Sequence, residues 1–148
     1  MGGGDRSTTG GTYTLLLELE RAASVEFGAL GERDLEPGWY AYTGSALGPG
    51  GFARVERHRE LAAGERDVRH WHVDSLLGHE HARLHDDVRT PGLEAECEVA
   101  GAIAAADGLD PVAGVGASDC ECASHLAYAT DASLLAAVVS TAHERAAD

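Results

Sequence analysis

Residues 12–19 set the first constraint on any fold this chain adopts. Tyr13, Leu15, Leu17 and Leu19 alternate with Thr14, Leu16 and Glu18, the two-residue period of a half-buried strand. Such a strand needs hydrogen-bonded neighbours and an apolar layer packed on it. Residues 25–30 predict a second strand. After the Pro37-Gly38 turn, residues 39–43 predict a third. The charged residues 32–37 between them read as a connection, and the three strands read as an antiparallel meander.

The helical segments supply the packing layer. Gly48-Pro49-Gly50-Gly51 leads into a helix over residues 52–63 that Gly64 stops, and a short helix follows near residues 71–77. Residues 82–88 read as a further strand. Over residues 93–106, Leu93, Cys97, Ala100, Ile103 and Ala104 form an amphipathic stripe. A glycine-rich stretch, 108–116, precedes a strand at 125–129. Asp131 N-caps a last helix whose apolar face is Leu134, Leu135, Val138, Val139 and Ala142. Strands and helices without regular alternation define an α+β class: a small central antiparallel sheet flanked by helices, in one domain over residues 11–148. Residues 1–10 read as a disordered tail.

At 148 residues a domain buries roughly 68 to 70% of its unfolded surface, so neither a metal nor a disulfide is needed to fold it. Hydrophobic residues at 44% and charged residues at 24% exclude disordered, collagen-like and low-complexity classes. The longest apolar run, residues 134–139, is six residues, far below the roughly 20 that cross a bilayer. No basic start feeds an apolar stretch in the glycine-rich first 11 residues, which predicts a cytoplasmic location.

The charge is strongly one-sided. Twenty-five Asp and Glu face 11 arginines with no lysine, a net charge of -14. A surface of this kind suits a salt-rich cytoplasm, because at about 1 M salt the Debye length falls to roughly 3 Å and self-repulsion costs little. A halophilic protein is expected. The same screening removes much of the repulsion from a polyanion, so net charge does not decide the partner. Cys97, Cys120 and Cys122 form no even framework, and in a reducing compartment they are expected as thiols or ligands.

Within this frame a few residues are able to do chemistry. Tyr40, Tyr42 and Gly44 share one face of the third strand, and Tyr13 can lie on a neighbour. Phenols beside a glycine that admits a phosphate make a site; the same tyrosines also serve as packing. Arg54 and His58 stand one turn apart on the following helix and Arg57 extends the polar stripe. Five of the 11 arginines fall between residues 54 and 69, a local relief of negative charge or an ordinary solvated face. Glu96 sits at the edge of the later apolar stripe, where a carboxylate needs an arginine, several donors or a metal.

In order and approximate spacing, Gly11-Thr12-Tyr13, Tyr42-Thr43-Gly44, Arg54 with His58, and Glu96 resemble the GIY-YIG nuclease superfamily. At finer grain, the run from Gly44 to Gly51, Arg57-His58, His70-Trp71-His72-Val73-Asp74, Glu96-Cys97 and the run from Ser118 to Leu126 look like the uncharacterised, mainly archaeal GIY-YIG-like family. That family also occurs fused to endonuclease III-type DNA glycosylases. The resemblance spans nearly all of residues 11–128. It implies a GIY-YIG-like fold and a DNA endonuclease, in a repair setting, with one divalent metal, Mg²⁺ or Mn²⁺. On that resemblance Tyr13 and Tyr42 would activate or orient the attacking water, Arg54 would stabilise charge on the phosphate, His58 would assist proton transfer or hold a phosphate oxygen, and Glu96 would hold the metal. Gly44 and Arg57 would contact substrate. The implied partners are DNA and a DNA glycosylase or another repair protein, with no membrane. The alternative is a non-catalytic nucleic-acid-binding or accessory module of a repair enzyme. Two departures stand out: the interval between the tyrosine motifs is longer, with room for an extra strand, and Thr12 replaces an aliphatic residue.

Cys120, Cys122 and His125, with Cys97 or His72 as a fourth ligand, are also candidates for Zn²⁺, although one residue between the cysteines is tighter than in zinc knuckles. Buried thiols and a packed histidine are the competing reading. His79, His81 and His85 read as solvated or partnered surface residues.

Overall fold

A computed structural model of the chain describes residues 10–27, 31–46, 51–63, 76–92, 94–112 and 124–147, with the backbone alone at Arg54. Its framework is strand β1 (Gly11–Leu19), which pairs antiparallel along both edges. The chain then forms β2 (Ala23–Glu26), β3 (Glu32–Leu35) and β4 (Gly38–Ser45), helix α1 (Ala53–Ala62), and β5 (Ala82–Pro91). Helix α2 (Glu96–Ala105), the short β6 (Asp110–Pro111), β7 (Leu126–Ala129) and helix α3 (Ala132–Ala147) complete it. The five-stranded sheet has the order β5-β1-β4-β7-β6, and every pairing in it is antiparallel.

Two expectations are corrected here. The three strands read as a meander are not one: β1 pairs directly with β4, and β2 pairs with β3 in a separate two-stranded sheet. The residues read as a charged connection supply β3. Hairpin strands with one wet face tolerate charge, so Glu32, Arg33 and Asp34 pair through their backbones while Leu35 is buried. The long interval between the tyrosine motifs is taken up by this hairpin. Its Val25, Phe27 and Leu35 pack into the core beneath the sheet.

Two apolar layers form, one on each face of the sheet. Tyr13, Leu15, Leu17 and Leu19 of β1 join Tyr40 and Tyr42 of β4, the hairpin, and Val55 and Leu61 of α1. On the other face Ala41, Ala127 and Ala129 present small side chains, which lets Val99 and Ile103 of α2 and Leu135 and Val139 of α3 close down. The expected α2 stripe is rotated: Val99, Ala100 and Ile103 are buried and Cys97 is exposed. On α3, Asp131 Oδ1 accepts from the backbone N–H of Ser133 and Leu134, as an N-cap should. Leu134, placed on the apolar face by the sequence pattern, is exposed.

The second face of β1 also carries polar residues that are fully covered. Thr14 shares a hydrogen bond of 3.0 Å with Thr43 and one of 2.8 Å with His143 Nε2, and Thr90 reaches His143 Nδ1 at 2.9 Å. One imidazole from the last helix therefore ties β1 to β5, and Thr14 carries the link on to Thr43 of β4. Burial lowers the His143 pKa below its ordinary value. Protonation is thus easier in the unfolded chain, so the contribution is complete above about pH 6.5 and is lost as pH falls below it toward the folded-state value. We expect His143→Ala to cost about 2 kcal/mol, since it takes one hydrogen-bond partner from each of two hydroxyls. Urea midpoints of the parent should drop more steeply between pH 7 and pH 5 than those of the variant; equal drops would refute the linkage.

Candidate functional site

The pairing of β1 with β4 sets Tyr13 directly opposite Gly44 and Leu15 opposite Tyr42. Tyr13 and Tyr42 consequently occupy the same face on neighbouring strands, diagonal to each other. The Tyr13 phenol lies across Gly44, where a Cβ would stand 2.6 Å from Oη and 2.7 Å from Cζ. The bare side of Gly44 is therefore filled by the ring. One turn into α1, His58 Nε2 meets Tyr13 Oη at 3.0 Å, with Tyr13 only 2% and His58 1% exposed. Arg54 and Arg57 belong to the same helix; the side chain of Arg54 lies outside the described residues.

Not all strand tyrosines are of this kind. Tyr40 donates to the Glu36 carbonyl at 2.6 Å and its ring lies 5.1 Å from that of Tyr128. Burial, with the neighbouring Tyr128, pushes its phenol well above the ordinary range. It is a packing residue.

Glu96 approaches from the opposite face. It opens α2, and the N–H of Ala95 just before it donates to Thr12 Oγ1 at 3.1 Å. Glu96 Oε2 lies 3.2 Å from His125 Nδ1; the carboxylate is 34% exposed and the imidazole side chain 1%. His125 in turn accepts the Thr43 N–H at its carbonyl. The start of β1, the end of β4 and the first turns of α1 and α2 thus meet at one end of the sheet, with Tyr13, Tyr42 and His58 on one face and Glu96 and His125 on the other. Among the described residues no group of three or more His, Cys, Asp and Glu side chains gathers. Of this pair only the Glu96 carboxylate is an oxygen donor of the kind a hard cation takes; the buried His125 imidazole is not.

The thiol expectation for Cys97 is corrected: it is disulfide-bonded. It is therefore no zinc ligand. The other two cysteines, Cys120 and Cys122, lie outside the described residues, as do His70 and His72. His85 reaches Glu18 at 3.1 Å and the Trp39 ring, and His79 accepts the His81 N–H, so these three are partnered near the surface.

Sequence patterning missed Asp87 and Arg89. Both fall on the α1 face of β5, Arg89 opposite Tyr13 and Asp87 opposite Leu15. Asp87 receives Nε and Nη2 of Arg59 and, at 2.6 Å, Nε of Arg89. Burial raises its pKa, but the hydrogen bonds from the two arginines outweigh that and hold the carboxyl below its usual range. Arg89 also reaches Glu56 at 2.9 Å and covers the Phe52 ring. The one available signal was the period-two spacing of Asp87 and Arg89 around Val88.

The fold and this polar end define a small α+β domain. Residues 12–148 match the family described as Domain of unknown function DUF123, and the chain belongs to that family. No curated protein and no solved structure matches it.

Two measurements follow from the geometry. Gly44→Ala should cost about 1–3 kcal/mol through overpacking, and most of that cost should vanish in a Tyr13→Leu background; additive costs in a urea double-mutant cycle would show that ring and glycine do not touch. Thiol titration of the unfolded, unreduced chain should find one free thiol of the three cysteines. Three would remove the disulfide.

Proposed function

We propose that the chain is a metal-dependent DNA endonuclease with a GIY-YIG-like fold, working in the cytoplasm in DNA repair, in company with a DNA glycosylase or a similar enzyme. One observation carries the reading: the contact of Ala95 with Thr12 brings Glu96 to the strand end from which Tyr13 projects on the other face. Residues far apart in the chain thereby share one end of the sheet. Among the described residues no helix is long and apolar enough to cross a membrane, in keeping with a partner such as DNA.

In this reading the Tyr13 phenol hands its proton to His58 Nε2, 3.0 Å away, as it takes one from water. Tyr42 orients that water from the same face. Arg54 and Arg57 on α1 grip the phosphate; a guanidinium matches two phosphate oxygens at once. Glu96, steadied by His125, would hold Mg²⁺ or Mn²⁺, which when bound neutralises charge on the phosphate. Gly44 keeps the Tyr13 ring in place.

The near-complete burial of Tyr13 and His58 favours a second reading, in which the phenol is a packing group and the chain is a non-catalytic accessory module. Cleavage decides between them. Incubated with Mg²⁺ or Mn²⁺ at high salt on nicked, branched and damaged duplexes, the parent should cut. Arg54→Ala and Glu96→Gln should each lose about 100-fold or more, the scale for losing one charge-stabilising group. No cutting of any substrate, or full activity in both variants, defeats the endonuclease reading.

A further inference from the structure

We propose that Arg89 and Arg59 form a phosphate fork that grips the backbone of the nucleic-acid strand beside the site, at the corner between β5 and α1. The assignment rests on the nucleic-acid reading above and names residues that no motif marks.

Four observations carry it. First, Arg89 is in register with Tyr13, which is itself in register with Gly44, so one row across three strands runs guanidinium, phenol, glycine. The fork is therefore adjacent to the chemistry. Second, both guanidiniums are fixed before any ligand arrives. The Asp87 side chain is only 6% exposed and holds the Nε edges of both arginines, while Arg89 also lies over the Phe52 ring, 5.4 Å from its centre. A cation held in place gives up little rotamer entropy on binding.

Third, the pair is not consumed by its partners. Arg59 is 38% and Arg89 32% exposed, and among the described residues the contacts of both arginines with carboxylates run through Nε and Nη2. Their Nη1 groups make no carboxylate contact among the described residues and are donors of the kind phosphate oxygens accept. Fourth, the two elements that meet here are less acidic than the chain as a whole. Helix α1 and strand β5 carry five arginines against four carboxylates in their sequences, in a chain with a net charge of -14. Alongside runs a groove of about 540 Å³ lined by Glu56, Arg59, Glu60, Arg83 and Leu84. Its open side gives a strand room to continue past the fork.

The test measures binding apart from cleavage. A fluorescently labelled DNA duplex is titrated with the full-length Glu96→Gln protein, free of divalent metal, at several salt concentrations. Added to that background, Arg89→Gln and Arg59→Gln should each weaken binding about tenfold, the scale of one lost charged hydrogen bond. Each should also flatten the plot of log affinity against log salt by about 0.9, the contribution of one phosphate contact. Arg89→Lys should restore the salt slope without the full affinity, and Arg145→Gln, an equal charge change on α3, should alter neither.

A folding defect would lower affinity and leave the slope alone, and Arg89→Lys would not repair it. If the Arg89→Gln protein binds like its parent at every salt concentration, the fork is wrong while the endonuclease reading stands on its cleavage result. A parent that neither binds nor cuts DNA takes down both.

Discussion

Strand β1 is held along both of its edges, and the positions of the polar groups follow from that. At its start the chain leaves no room for side chains: a methyl at Gly10 would run into the Ala46 carbonyl and one at Gly11 into the Thr90 carbonyl. The Gly11 carbonyl accepts from Ala46 and the Gly10 carbonyl from Gly92, so β4 and β5 are pinned to either side at the same level. A shift of one residue would exchange the faces of β1, moving Tyr13 to the side of α3 and Thr14 into the α1 core. A phenol does not fit in place of the threonine hydroxyl held by Thr43 and His143, and a threonine leaves the bare side of Gly44 unfilled. The register is thus over-determined by backbone contact at one end and by side-chain complementarity on both faces.

The two faces answer burial differently. Under α1, Tyr13 and His58 satisfy each other, and Asp87 is compensated by two arginines. Under α2 and α3, three threonine hydroxyls and one imidazole form a chain from Thr43 to Thr90. Buried polar groups that are fully paired narrow the set of acceptable packings, because alternatives leave a donor or acceptor stranded. The sheet end where these groups concentrate is where a site would need rigid walls.

How far the sequence foretold this depends on whether the information was local. β1 was legible because period-two alternation reports a covered strand, β4 because a short aromatic run follows the Pro37-Gly38 turn, and α3 because Asp131 precedes an apolar face. β3 was not, since Glu32, Arg33 and Asp34 in a hairpin with a wet face leave no apolar period to read. The α2 stripe was phased on Cys97, which is exposed and committed to a disulfide; Val99 holds the inward position instead. Tyr13, Tyr42, His58 and Glu96 were singled out as residues. That Tyr13 covers Gly44, and that Glu96 comes from the other face beside His125, are consequences of strand register and helix placement. Asp87 and Arg89 were invisible for the same reason, as alternating charges on an edge strand read as surface.

The absence of lysine bears directly on that corner. Asp87 takes two cations through their Nε edges within the width of one carboxylate, and planar guanidiniums fit there where two ammonium groups would crowd and stay hydrated. Salt sharpens the contrast. In concentrated salt an exposed pair such as Arg83 with Glu20 is screened away within a few ångströms, whereas the Asp87 carboxylate, shut off from ions, keeps its partners. An acidic chain in such a medium loses its peripheral ion pairs first, so what remains ordered is the part whose charges are covered. That part joins α1 to β5, and with it His58 to Tyr13.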